Sequence, residues 1–586
     1  MVVLCLLKAF VLLTTIPILT FKQLPLVSAG AIHVSTPQAV FSGSDELRAT
    51  ISNALPKKNG SAEGLPSTLG ALLEAIEVMQ HEYFQLDAGT WPDAIDWTAA
   101  VLGTHVSATL STLVASVDSS ASPSCSDLLS WSNYIDRYFA HTSAFYFGEN
   151  ALSLRGQAYD DMLWVVLGWL ENIKLMDLFT SVRSGVHHEG SSRPGGGSWQ
   201  GSQFKPVAAH RARIFYEIAA HGWDNSLCHG GMLWNPHLKP YKNSITNELF
   251  ISASISMHLY FPGDDNDSPF VARSDGNPYP RDQQHLDNAV EAYAWLKASN
   301  MMSPETPGLY ADGYHISGWH REPDGRVDPG TGDCDELNPM VYTYNQGVVL
   351  TGLRGLWLAT STESYLKDGH DLIRSVIDAT GWPDRVDKNW SGLGRGGVLE
   401  EYCDSRGGCS QNGHTFKGIF FNHLAEFCRS LSPIEEEYLS SHTKRSDTRQ
   451  TSAEEENKNK KVWHEHLRQC KSYRPWLQHN AHAAAVTRDD DGKFGTWWGR
   501  EYPFDDGRDN DGDDEILTAY QVPKLPHGAT DYANLNSSQL LPPGLHETNN
   551  DKRDVNDRGR GRTVETQSGG LAVLRALWQW EITQFG

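Results

Sequence analysis

Tyr159-Asp160-Asp161 sets two carboxylates side by side at the start of an apolar run, Met162-Leu163-Trp164-Val165-Val166-Leu167-Gly168-Trp169-Leu170. The run is apolar almost all round, the mark of a buried helix rather than a surface one. A carboxylate at the mouth of such a helix is costly to desolvate unless it is paired, hydrogen-bonded or protonated. Two adjacent acids in that place are either a helix cap or an acid–base pair. As a pair they divide the work. The helix N-terminus favours the ionised form of whichever acid lies nearer its free N–H groups, and that charge raises the pKa of the other. One protonated and one ionised carboxyl is the set that glycoside hydrolysis needs, an acid for the leaving oxygen and a carboxylate for the anomeric carbon or a water. Adjacent helical residues point about 100° apart. At a helix mouth their carboxyl groups can still lie roughly 5–6 Å apart, near the ~5–5.5 Å of retaining enzymes.

Other polar and aromatic clusters stand immediately before apolar helices. They are Gly230-Gly231-Met232-Leu233-Trp234-Asn235-Pro236, Tyr241-Lys242-Asn243-Ser244-Ile245-Thr246-Asn247-Glu248-Leu249, Tyr342-Thr343-Tyr344-Asn345-Gln346-Gly347 and Phe416-Lys417-Gly418-Ile419-Phe420. Each alone is compatible with cap and turn chemistry. Several at the same end of successive helices form one rim. Trp164, at i+4 from Asp160 and i+3 from Asp161, shares a compatible face with the pair.

Metal readings fail on spacing. Asp509-Asn510-Asp511-Gly512-Asp513-Asp514 alternates oxygens like a calcium loop but lacks Gly at the sixth position and Glu at the twelfth. His464-Glu465-His466 puts its histidines on different helix faces. No P-loop, dinucleotide fingerprint or G-x-S-x-G elbow occurs. No metal or organic cofactor is expected.

The elements that must position these clusters read as helix after helix. Apolar residues recur at helical spacing over Thr68–His81, Trp91–Val117, Ser126–His141, Gln157–Thr180, Phe204–His221, Asn243–Tyr260, Asp282–Ser299, Val341–Thr360, Tyr365–Thr380, Thr415–Leu431, Val462–Tyr473, Gln478–Arg488 and Thr566–Thr583. Period-2 strands are rare and no fixed-period repeat is present, so the series predicts an all-α toroid of paired helices rather than a solenoid. Ser184–Trp199, Glu435–Lys461 and Phe504–Arg562 read as polar loops or disorder. The last two are taken as insertions (435–461 and 504–562) in a single catalytic domain, residues 30–586.

The chain carries 72 Asp+Glu against 49 Lys+Arg, a net charge of −23. That surface disfavours nucleic acid and anionic membrane as partners and suits a neutral substrate. The 19 Trp and 21 Tyr offer faces on which sugar C–H groups stack, although most tryptophans are core. Met1–Ala29 reads as a secretory signal, with Lys8 before an apolar stretch and Val27-Ser28-Ala29 at its end. No other stretch reads as long and apolar enough to span a bilayer. No hydrophobic tail follows Leu571, so no glycolipid anchor and no stable membrane partner are expected. Beyond the signal seven cysteines remain, of which Cys403 and Cys409 flank a Gly-rich loop and form the most credible pair. Sequons at Asn59, Asn266, Asn389 and Asn536 fit a secreted glycoprotein, extracellular or cell-wall associated.

Taken in order, Tyr159-Asp160-Asp161-Met162-Leu163-Trp164, the Gly-Gly-x-x-Trp-Asn and Lys-Asn-x-x-x-Asn-Glu blocks, Tyr344-Asn345-Gln346-Gly347 and Phe416-Lys417-Gly418-Ile419-Phe420 resemble glycoside hydrolase family 76, the endo-α-1,6-mannanases and their fungal cell-wall relatives. The resemblance covers roughly Ala151 to Phe494. It implies an (α/α)6 barrel and a retaining mechanism with Asp160 as nucleophile and Asp161 as acid/base. It also implies that Trp234, Asn235, Asn247, Tyr344, Asn345 and Gln346, with Trp164, line mannose subsites. Asp312, in a polar loop, is a further candidate that a plain turn explains as well. The partner so implied is α-1,6-mannan or a mannose-containing wall glycan. A transglycosidase using the same covalent intermediate, and a mannan-binding wall protein without turnover, are the alternatives. Adjacent acids on a buried helix argue against the second.

Overall fold

The computed structural model describes residues 68–118, 125–144, 156–185, 199–266, 279–383, 389–443, 449–500, 523–534, 555–557 and 559–583. These fall within one compact unit, Leu47–Gly586. In chain order the helices are α1 (Thr68–Val78), α2 (Asp96–Asp118), α3 (Cys125–Ala144), α4 (Tyr159–Gly185), α5 (Lys205–Ala220), α6 (Ser244–Tyr260), α7 (Gln283–Ala298), α8 (Val348–Thr360), α9 (Glu363–Ala379), α10 (Gln411–Cys428), α11 (Pro433–Thr443), α12 (Arg449–Ser472), α13 (Arg474–Val486) and α14 (Val564–Ile582).

Six of them make a closed ring. α2 packs on α4, α4 on α6, α6 on α8, α8 on α10, α10 on α14, and α14 back on α2. Outside this ring α1 and α13 pack on α14, α3 on α2, α5 on α4, α7 on α6 and α9 on α8. Outer and inner helices therefore alternate along the chain, with α11 and α12 inserted before the last pair. This is an (α/α)6 barrel.

The two rings differ in sequence because they differ in surroundings. Inner α6 is buried at every residue from Ser244 to Leu259. Outer α9 buries Leu366, Leu372, Ile373 and Val376 on one face and exposes Lys367 and Arg374 on the other. Each large aliphatic side chain so buried contributes about 1.5–3 kcal/mol. Inner helices approach most closely where side chains vanish: a methyl group added at Gly418 of α10 would lie 3.0 Å from the Cα of Gly569 in α14. Their starts are capped by Asn243, which accepts from the Thr246 N–H, by Ser410, which accepts from Gly413, and by a Thr563–Thr566 capping box.

Two expectations are corrected. The mixed-charge stretch 435–461 is largely helical, forming α11 and the first half of α12. Its first acid, Glu435, is buried between the guanidinium groups of Arg354 and Arg429 rather than solvated, which stabilises the charge that composition alone assigned to a loop. Also, α2 is apolar and long enough over Asp96–Ser116 to cross a bilayer, but most of it is buried as an inner-ring helix. Residues 1–67, 186–198, 501–522 and 535–554, with the proposed signal, the calcium-like run at Asp509 and the sequons at Asn59 and Asn536, lie outside the described residues.

The inner helices start at one mouth of the barrel. There the Thr98 hydroxyl (α2) and the Gln411 amide (α10) both donate to Glu565 (α14), and the Trp97 indole (α2) donates to Asn412 (α10). A short antiparallel sheet ties further loops to the same end. β1 (Lys242–Asn243) pairs with β2 (Gly313–His315); after the hairpin β3 (His320–Arg321) and β4 (Val327–Asp328), β5 (Glu336–Asn338) pairs with the other edge of β2. A cavity of about 340 Å³ opens at the opposite mouth. Its three carboxylates are already matched, Glu426 to Lys174 and Arg429, Glu171 to Lys174 and Asp177 to Lys205, so it offers no spare acid pair.

Candidate active site

Asp160 and Asp161 occupy the first turn of α4, half-buried at the mouth where the inner helices begin. Both oxygens of Asp160 accept hydrogen bonds: Oδ1 from the Asp161 N–H at 3.1 Å and Oδ2 from the Trp234 indole N–H at 3.0 Å. Burial, and then the neighbouring Asp161 charge, pushes the Asp160 carboxyl well above the usual carboxylate range. Burial, reinforced by the charge of Asp96 on α2, pushes Asp161 up to about 7. The two acids titrate as a pair that keeps a proton near neutral pH. Raised carboxyls side by side can give up a proton as well as accept hydrogen bonds, which the neutral caps Asn243 and Ser410 do not do.

Trp234 is aimed at Asp160 by its backbone. Its N–H donates to the Tyr241 carbonyl at 2.8 Å, and its own carbonyl accepts from the Tyr159 N–H at 2.9 Å. The preceding loop is wound tightly. Cys228, His229, Gly230 and Gly231 all have positive φ, and a Cβ on Gly231 would meet the Trp295 ring at 2.5 Å. The loop wraps the buried ammonium of Lys242, which donates to the carbonyls of Asp224, Leu227, Gly230 and Gly231. A disulfide from Cys228 to Cys334 ties it to the segment before β5.

The polar candidates fall into two groups. Trp234 and Asn235 are half-buried at the mouth, and Asn235 uses its side-chain oxygen to accept from the His237 N–H, closing a local turn. Asn247, expected to line the glycan, is fully buried. It accepts from the Met232 N–H and donates to the carbonyls of Met232 and Asn243, so it braces the Trp234 loop against α6. Gln346 is likewise a buried brace, with its amide donating to Tyr310 and Tyr342 and accepting from the Tyr310 N–H. Asp312 is buried too. It accepts from the Tyr241 hydroxyl at 2.5 Å and from Asn338 at 3.2 Å; burial pushes it up to about 6, and those two bonds hold it down. Asn345 is buried as well. These side chains hold the framework rather than line the open mouth.

The aromatic candidates form a continuous stack. Trp164 is buried, with Trp97 stacked on it at 5.7 Å between ring centroids. Trp97 meets Phe416 at 6.3 Å, and Phe416 stacks on Tyr344 at 3.9 Å. Burial pushes the Tyr344 hydroxyl well up, with added effect from the surrounding carboxylates, Asp312 and Asp160 among them. Trp97 is half-buried and covers the buried Trp164, so within this stack it is Trp97 that keeps an open face. Sequence reading passed over Asp96-Trp97 although they carry the same signal as the chosen clusters, polar and aromatic residues just before an apolar helix.

Cys403 is bonded to Cys409, and Cys428 to Cys470. His370, His466 and Cys470 also converge, but that sulfur is in the disulfide and the His466 ring bridges His370 and the Phe427 carbonyl. Lys417, from the Phe416 block, is buried and pairs with Asp404 at 2.5 Å. Asn266 and Asn389 are exposed.

The model of glycosyl hydrolase family 76 matches residues 209–487. A mannan endo-1,6-alpha-mannosidase of Saccharomyces cerevisiae, DCW1, is 22% identical over 226 residues, 38% of this chain and 40% of the relative; its Candida glabrata counterpart is also 22% identical, over 224 residues. The chain thus spans about two fifths of the length of the curated relatives it matches. Among solved structures, an inactive variant of the alpha-1,6-mannanase GH76A of Salegentibacter sp. HEL1_6 in complex with alpha-1,6-mannotriose is 15% identical with a TM-score of 0.47, covering 88% of this chain and 100% of that one. Dfg5 from Chaetomium thermophilum in complex with glucosamine is 14% identical with a TM-score of 0.47, covering 89% and 93%.

Proposed function

The chain belongs to glycosyl hydrolase family 76, and from that premise we propose that it is an endo-acting glycosidase that cleaves α-1,6-mannosidic bonds with retention. The observation that carries the reading is the pairing of Asp161, pushed up to about 7, with an Asp160 whose two oxygens both accept hydrogen bonds. Asp161 protonates the glycosidic oxygen as the C–O bond breaks. Asp160 attacks the anomeric carbon and forms a glycosyl ester. Asp161, now a base, takes a proton from water, which attacks the ester and frees Asp160. Burial raises both carboxyls, so this assignment rests on hydrogen bonding. Donors aimed at both Asp160 oxygens stabilise the carboxylate that must be the nucleophile, while the Asp96 charge favours the proton on Asp161.

The three disulfides and the exposed sequons at Asn266 and Asn389 support a place outside the cell. The test is incubation with linear α-1,6-mannan, with and without a second mannosyl acceptor. Products are sized, and the anomeric configuration of the first product is read by NMR. Short oligosaccharides released with retained configuration are expected. Products that are larger, and formed only with acceptor, would make the protein a transglycosidase; inverted configuration would remove Asp160 as nucleophile.

A further inference from the structure

Residues 523–534 belong to the stretch whose composition reads as an acidic insertion, yet they are fastened across the mouth that holds Asp160. The Thr530 N–H donates to Asn338 Oδ1 at 2.9 Å, and the Asn338 amide returns a bond to the Thr530 carbonyl at 2.8 Å. Tyr342 donates its hydroxyl to Asp531 at 2.8 Å and accepts from the Ala533 N–H at 3.2 Å. Ser410, the cap of α10, donates from its backbone to Asn534 at 2.8 Å and from its hydroxyl to the Ala533 carbonyl at 2.7 Å. The segment thus bridges the loops that precede α8 and α10, and Tyr532 carries it on to β2 and to Tyr241, the residue before β1.

Tyr532 is 45% exposed. Its ring stands edge-on to Tyr241 at 5.7 Å and to His315 at 5.9 Å, and its hydroxyl bonds to the His315 ring at 3.0 Å. Two roughly perpendicular contacts and a hydrogen bond fix a half-open aromatic ring in one orientation. An unanchored surface tyrosine has no such restraint. The Tyr241 beneath it is the residue whose carbonyl holds Trp234, and Trp234 bonds Asp160. Only two residues separate the exposed ring from the carboxylate pair.

We infer that Tyr532 is the stacking platform of an outlying mannose subsite, one that a short oligosaccharide bound at Asp160 and Asp161 does not reach. A fixed aromatic face in an acidic surface suits the C–H face of a neutral sugar, since it neither demands nor repels charge. The inference rests on the proposed action on mannan.

The experiment uses the full chain and a ladder of linear α-1,6-mannooligosaccharides from the trimer upward. KM is expected to fall as the oligomer lengthens. Tyr532→Ala removes the last part of that fall, raising KM for the longest oligomers about threefold to tenfold with kcat and the shortest substrates unchanged. Tyr532→Phe, which keeps the ring and drops the bond to His315, stays near wild type. The same ladder is titrated calorimetrically into the Asp160→Asn/Asp161→Asn chain, with and without Tyr532→Ala. Equal losses at all lengths, or no loss at any, would overturn the platform while leaving the hydrolase intact. Length-dependent binding that Tyr532→Ala abolishes, without turnover by the wild type, would support the platform and sink the proposed reaction. A ladder that neither binds nor reacts overturns both.

Discussion

The indole N–H of Trp234 reaches Asp160 Oδ2 at 3.0 Å across 74 residues of sequence. It joins the loop before α6 to the first turn of α4, and it favours the ionised form of one member of a buried acid pair. Trp234→Phe keeps the ring and loses the donor. Asp160 then ionises at higher pH, so the acid limb of the pH–rate profile should move upward and kcat should fall roughly tenfold or more. An unmoved acid limb would detach Trp234 from the titration of Asp160.

Asp160→Asn and Asp161→Asn should fail differently. Loss of the acid/base costs about 10²–10⁴-fold on mannan but little on a mannoside with a good leaving group, in the step that forms the ester. Loss of the nucleophile should abolish turnover of both substrates, by on the order of 10⁴-fold. A Asp161→Asn chain equally dead on both would reverse or void the assignment.

The same substitutions should stabilise the fold at neutral pH. An acid whose folded pKa is raised contributes stability that is complete below its unfolded value and is lost as pH rises through the folded one. For Asp161 that window runs from the ordinary aspartate range to about 7. Asp161→Asn should therefore raise Tm at pH 8, and the gain should vanish near pH 4. Thermal melts at the two pH values decide it.

Glu401 obeys the same rule at a structural position. It is fully buried, accepts from the N–H and hydroxyl of Thr343, and burial pushes it up to about 8. Wild-type stability should fall as pH rises from the ordinary glutamate range to about 8, and Glu401→Gln, which needs no charge, should flatten that slope. Urea midpoints across the range test this, and an unchanged slope would place the titration elsewhere.

Asn247→Ala strips the partner from the Met232 N–H and carbonyl. Leaving buried backbone groups unpaired costs about 1–3 kcal/mol. Because those groups carry Trp234, kcat should fall together with the urea midpoint. Lost stability with full activity would show that the Trp234 loop keeps its place without the brace.

The succession of helices was legible because apolar residues recur at helical spacing, and thirteen of the helical stretches were read directly. α11 was missed because Glu435, Glu436 and Glu437 look solvated until Arg354 and Arg429 are brought to Glu435 by the fold. The acid pair could be singled out from Asp160-Asp161 and the apolar run behind it. What could not be read was which polar residues face the mouth. Asn235 and Asn247 are alike as letters, and only three-dimensional placement makes one a turn at the surface and the other an internal brace. Tyr532 was hidden for the opposite reason: its neighbours in sequence are loop-like, and its partners Tyr241 and His315 are more than two hundred residues away.

The closing contact of the inner ring sets an order of events in synthesis. α14 supplies Ser568 to His105, Arg575 to Thr112 and Glu565 to Thr98, all partners some 460 residues earlier. The nascent barrel is an open arc with an uncovered apolar edge on α2 until the last helix has left the ribosome. Non-local closure of this kind is slow, and its intermediates invite aggregation. A chain truncated before α14 should therefore be not a weaker enzyme but a client for chaperones.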